Sequence, residues 1–123
     1  MSMESIPPRV QNQLAMLQQM QQQLQTVVSQ KAQYELTIRE ARRAVEDLGD
    51  VSDDATVFMN VGSVMMQKSK EQVLASLSER IETLELRVKS LEKQEKALQG
   101  RFEQLSAQVR GALEGKQRPP GTT

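Results

Sequence analysis

The 123-residue chain contains no cysteine, no histidine and no tryptophan. Without cysteine and histidine there are no disulfides, thiol nucleophiles or imidazole bases, and no zinc site that needs either ligand. The missing thiols suit a cytoplasmic protein. Aromatics are almost absent too: Tyr34, Phe58 and Phe102 are the whole set, and only 37% of the chain is apolar. A globular core of ordinary thickness cannot be built from that, whereas a thin core of one apolar stripe per helix can. Proline occurs only at Pro7, Pro8, Pro119 and Pro120. Charge of one sign is lacking as well, with 16 basic residues against 16 acidic. A balanced chain without an arginine-rich run has no electrostatic reason to grip nucleic acid. No apolar run approaches the roughly 18 residues of a membrane span, and the first residues lack the basic-then-apolar order of a signal peptide. Asp53 and Asp54 are adjacent acids with no further convergent ligands, and no glycine-rich phosphate loop precedes a helix. Neither an enzyme nor a bound cofactor or metal is expected.

What the chain does have is periodicity. Positions 10, 13, 17, 20, 24, 27, 31, 34, 38, 41, 45 and 48 step by alternating threes and fours and are apolar except Gln13 and Lys31, counting Tyr34 as apolar. Positions 74, 77, 81, 84, 88, 91, 95, 98, 102, 105, 109 and 112 repeat the pattern with one polar exception, Glu95. Such spacing is the seam of a coiled coil. The chain reads as one domain, 1–123, mostly α: a long antiparallel coiled-coil hairpin with one short β-hairpin at the bend.

Pro7 and Pro8 mark the start of the first helix, since proline is tolerated only in the first turn. The helix is expected over about 9–48, an arm of roughly 60 Å at 1.5 Å per residue. Gly49 is expected to supply a left-handed cap, followed by a loop through Ser52, Asp53 and Asp54. Leu14, Met16 and Val28 lie beside the strict seam, so the apolar face is wider than two helices need. The glutamine-rich stretch 18–25 is expected to be a polar helix face with Met20 and Leu24 turned inward, the weaker alternative being a recognition or aggregation segment.

Residues 56–67, TVFMNVGSVMMQ, are rich in β-branched residues around Gly62-Ser63. Glycine at the first turn position suits a type II′ hairpin with strands near 56–61 and 64–68. The competing reading is a helical stretch holding one glycine, against which stand the poor helix formers Thr, Val, Asn and Gly. A lone two-stranded hairpin is marginal in water, and this one carries three Met and three Val in ten residues. Adding strands from other chains would cover its edges. Val57, Phe58, Met59, Val61, Gly62, Val64, Met65 and Met66 are therefore the candidate oligomerisation surface.

Ser69 and Gln72 fit a capping box ahead of a second helix over about 70–115. Gly100 falls at an outward position of that helix, and the tail 116–123 is expected to be disordered. Folding at the bend sets Leu48 near Leu74 and Val10 near Ala112, so that facing residue numbers sum to about 122. It also brings the two interruptions, Lys31 and Glu95, within a turn of each other, and a contact between them is expected.

Several stretches carry a family resemblance that covers almost the whole chain. They are Ile6-Pro7-Pro8 with Val10 and Gln11, the bend Asp53-Asp54-Ala55 with Val57-Phe58 and Gly62, and ERIETLELRVKSLEKQE at 79–95. Together they resemble the beta subunits of the prefoldin family, the archaeal form most closely. Phe58 stands where the family usually has Tyr. The resemblance implies a heterohexamer of two alpha and four beta subunits, each beta subunit giving one hairpin to a pair of joined β-barrels. It implies ATP-independent holding of unfolded or nascent polypeptides at the arm tips and their delivery to a cytosolic group II chaperonin. The expected partners are thus the alpha subunit, other beta subunits, unfolded polypeptides and the chaperonin, with no nucleic acid and no membrane.

On that fold both chain ends lie at the distal tips. The candidate client-contact residues are Ile6, Val10, Leu14 and Leu17 from the first helix and Phe102, Leu105, Val109 and Leu113 from the second. Val10, Leu17, Phe102, Leu105 and Val109 have an alternative role in closing the seam, whereas Ile6, Leu14 and Leu113 lie off it. Lys116 and Arg118 are possible charged contributors to chaperonin contact. The rival function is a structural or tethering coiled coil, which would need the seam but not the apolar hairpin.

Overall fold

A computed structural model describes residues 5–115. Elements follow in the order α1 (Pro8–Gly49), β1 (Val57–Val61), β2 (Val64–Lys68) and α2 (Lys70–Gly115). The expected tail 116–123, with Lys116 and Arg118, lies outside the described residues. Two compact units divide the chain, one of residues 30–91 and one of 1–29 with 92–123.

α1 begins where proline chemistry dictates. The Pro7 carbonyl accepts the first helical bond from the Gln11 N–H at 3.0 Å, and Pro8, whose missing N–H would have no helical partner anyway, takes the first helical position. Gln11 Nε2 also donates to the Ile6 carbonyl at 2.8 Å, tying down the residue before the prolines.

The end of α1 corrects the expectation for Gly49. Among the described residues the one glycine with positive φ is Gly62, so Gly49 is no left-handed cap but the last helical residue. The helix closes instead by tightening. Asp50 N–H donates to the Asp47 carbonyl at 3.2 Å and Val51 N–H to the Leu48 carbonyl at 3.1 Å. These three-residue bonds satisfy terminal carbonyls without a left-handed residue. A turn follows, closed by Ala55 N–H on the Ser52 carbonyl at 3.0 Å.

α2 starts with the expected capping box. Gln72 N–H donates to Ser69 Oγ at 3.1 Å, and Ser69 N–H donates to Gln72 Oε1 at 3.1 Å. Two N–H groups that the helix cannot satisfy are thereby paired.

Every expected seam position of α1 is buried or half-buried, Gln13 and Lys31 included. α2 follows suit through Val109, with Glu95 half-buried, but Ala112 is exposed and Leu113 is half-buried in its place. At the other end of α2, Val73 is buried although it lies one position before the seam. Both departures lie at the ends of α2, where Val73 joins the half-buried Leu74 and Leu113 takes the place of Ala112.

In the unit of residues 30–91, Ile38, Leu84 and Val88 form a buried cluster with Tyr34 and Ile81 packed against it. The register set by the bend places Ile38 opposite Leu84 and Tyr34 opposite Val88, and all four fall in this cluster. Arg87 covers the Tyr34 ring, 5.8 Å from its centroid, so the one tyrosine is shielded by a cation on its face. The fold is the expected one of two long helices with a β-hairpin between them.

Candidate functional site: the hairpin and the apolar helix positions

β1 and β2 pair antiparallel, with Val57 opposite Lys68, Phe58 opposite Gln67, Met59 opposite Met66, Asn60 opposite Met65 and Val61 opposite Val64. The connection is Gly62-Ser63. Gly62 has φ +62°, and no other described residue has positive φ. A type I′ turn would need positive φ at Ser63 as well, so the turn is of the II′ kind that the glycine position predicted.

Opposed residues share a face. One face carries Val57, Met59, Val61, Val64, Met66 and Lys68, and the other carries Phe58, Asn60, Met65 and Gln67. Val57, Met59 and Lys68 are half-buried at the base of the ribbon. Toward the turn both faces open. Met65 is 66% exposed, Phe58 and Val64 57%, and Val61 and Met66 are also exposed. Five large apolar side chains thus meet solvent within nine residues. Single exposed apolar residues are ordinary, but a contiguous patch marks an interaction surface. Among the described residues the sheet has two strands. Each strand therefore keeps one edge of unpaired N–H and C=O groups beside the apolar patch, which is the arrangement that invites strand addition.

The base of the ribbon is locked from α2. Lys70 Nζ donates to the Val51 carbonyl at 2.8 Å and to Asp53 Oδ1 at 3.1 Å. Sequence reasoning missed this lysine, because its partners lie 17 and 19 residues away and no local pattern links them. Ser52 Oγ donates to the Asp54 carboxylate, and this bond holds the Asp54 carboxyl below its ordinary range. Among the described residues no group of three or more acidic side chains is placed to hold a metal, and no helix is long and apolar enough to cross a membrane.

The second set of sequence candidates lies in the unit of residues 1–29 and 92–123. Val10 and Val109 are buried. Ile6, Leu14, Leu17, Phe102, Leu105 and Leu113 are half-buried. Two of the eight are thus enclosed, while six keep part of their surface free. The more exposed large apolar residues of this unit are Met16 and Val28. In the other unit Leu36 and Leu86 are exposed at outward positions of the repeat, a signal the seam pattern could have given.

Comparison with known proteins shows the family of the chain. The model of a family described as prefoldin subunit matches residues 11–116. The chain belongs to the prefoldin family. A prefoldin beta subunit of Methanoculleus marisnigri is 91% identical over 119 residues, covering 97% of this chain and 98% of the relative. That of Methanospirillum hungatei is 59% identical, covering 95% and 98%. The crystal structure of the prefoldin beta subunit from Thermococcus strain KS-1 superposes with a TM-score of 0.82 at 43% identity, over 96% of this chain and all of that one. Within this chaperone family, the one hairpin and the two long helices are those of a beta-type subunit.

Proposed function

We propose that this chain is a beta-type subunit of an ATP-independent holding chaperone. Its hairpin joins those of other beta-type copies and of an alpha-type partner in a heterohexamer of two alpha and four beta subunits. The free ends of its helices hold unfolded or nascent polypeptides, which pass to a group II chaperonin in the cytoplasm. The single observation that supports this most is the ribbon: five exposed apolar side chains on a two-stranded sheet with both edges open, in a member of the prefoldin family.

The physics of holding fits partly covered apolar residues. Burial yields about 25 cal/mol per Å², so a half-open Leu14 or Leu113 gives a weak, reversible contact. Several arms acting on one client raise the effective affinity without a deep pocket. Met16, exposed and unbranched, adapts to varied partners.

Solution mass, measured for the chain alone and with an alpha-type partner, tests the assembly. A stable tetramer or hexamer that Val61→Asp with Val64→Asp dissolves supports the reading. A dimer indifferent to those changes would support the tethering coiled coil instead. For holding, the test is a chain lacking residues 1–9 and 114–123 and carrying Leu14→Ser and Leu113→Ser. It should still assemble but should protect a denatured protein from aggregation less well, without nucleotide. Undiminished protection would overturn the assignment of these ends to client contact.

A further inference from the structure

We propose that Met65 is a methionine-sulfoxidation site that controls whether the chain can assemble. The inference rests on the hairpin being the surface that joins subunits.

The chain has seven methionines and no cysteine, so thioethers are its only sulfur available to a peroxide. Three of the seven sit in the ribbon, and Met65 at 66% is the most exposed large apolar side chain described. It shares its face with Phe58 and stands opposite Asn60, whereas Met59 and Met66 face each other on the other side. The sulfur lone pair of Met65 attacks one oxygen of a hydroperoxide. The O–O bond breaks as the S–O bond forms, and sulfur loses two electrons to the peroxide. For hydrogen peroxide, the proton on the transferred oxygen goes to the departing hydroxide, which leaves as water.

The product is a polar, chiral sulfoxide beside Phe58, on a face that assembly would remove from water. Burying such a group without a hydrogen-bond partner opposes association, and sulfoxides disrupt methionine-rich contacts in this way. Once subunits have joined, the same burial excludes the oxidant. An unassembled chain would be sensitive and an assembled one protected, and reduction of the sulfoxide would restore the surface.

The test uses the full chain, diluted until light scattering reports a monomer, treated with dilute hydrogen peroxide, quenched and concentrated. Peptide mass spectrometry reads a 16-Da gain at Met65, and scattering reads the assembled fraction. The fraction should fall about tenfold, Met65→Leu should retain assembly after the same dose, and Met65→Gln should lower it with no oxidant. Methionine sulfoxide reductase should reverse the loss, and the helical circular-dichroism signal should stay constant throughout. An oxidised chain that assembles like the untreated one would overturn the proposal. So would failure of Met65 to react, or equal loss in Met65→Leu. Val61→Asp with Val64→Asp, measured without peroxide, separates the two readings. If that pair leaves assembly intact, the hairpin interface itself is wrong. If it abolishes assembly while the sulfoxide does not, only the present inference fails.

Discussion

Lys70 Nζ lies 2.8 Å from the carbonyl oxygen of Val51, so the first turn of α2 holds the chain leaving α1. The lysine side chain is 14% exposed, while its other partner, Asp53, is 97% exposed. Placing a cation at a helix N-terminus opposes the helix dipole, and Glu71 in the same turn offsets part of that. The bond to the sheltered carbonyl is the stronger of the two, since an exposed ion pair contributes about 0–1 kcal/mol.

Lys70→Met should therefore destabilise the chain by about 1–2 kcal/mol, the loss of a charge-assisted hydrogen bond together with an unsatisfied carbonyl. Asp53→Asn should change stability by less than about 0.5 kcal/mol. Urea unfolding of both variants checks the ranking. Equal effects would mean that the ion pair, not the carbonyl, holds the loop.

Arg42 and Glu85 pair at 2.7 Å. With the repeat written abcdefg from Val10 and from Leu74, both occupy e positions, which face each other only when the helices run antiparallel. Both side chains are substantially exposed, so losing the pair should cost about 0.5 kcal/mol or less. Glu85→Lys should destabilise through repulsion, and adding Arg42→Glu should recover most of that. A double-mutant cycle by thermal melting measures the coupling. Additive effects would argue against the pairing.

Gly100 and Gly62 make a matched contrast, because a Cβ at either would meet nothing within 4 Å. Gly100 is helical and outward, so Gly100→Ala should raise stability by about 0.5–1 kcal/mol. Gly62 has φ +62°, where an L side chain is strained regardless of space. Gly62→Val should cost about 1–2 kcal/mol, and Gly62→Asn should cost less. Melting temperatures moving in opposite directions are the expected readout.

Asp54 has a depressed carboxyl pKa, caused first by the Ser52 hydroxyl and then by a backbone hydrogen bond, slightly opposed by desolvation. A carboxylate whose pKa is lower in the folded state stabilises the fold above its unfolded pKa. That contribution disappears as pH falls through the folded value. Ser52→Ala should raise the Asp54 pKa toward the ordinary range, read by NMR titration of the carboxyl carbon. An unmoved titration would remove Ser52 as the cause.

Much of the fold was legible in the residues because its signals are local. Pro7 and Pro8 announce α1, Ser69 and Gln72 announce α2, and Gly62 selects its turn through backbone sterics over two residues. The hairpin itself was legible for the same reason, as a β-branched, methionine-rich run around one glycine. Family membership was readable from the bend and from 79–95. The exposure of each apolar helix residue was less so. A three–four repeat marks which residues can face a partner helix, but not how much of each remains uncovered.

The order of elements, the seam and the type II′ turn were thus determined by sequence alone, through steric and hydrophobic preferences that act within a few residues. The structure decided the rest. It ended α1 with a helical Gly49, closed by the three-residue bonds of Asp50 and Val51. It buried Val73 and drew in Leu113 over Ala112 at the two ends of α2. Only the tertiary fold tied Lys70 to Val51. That bond depends on where distant backbone atoms come to lie, and a linear pattern of residue types carries no information about that.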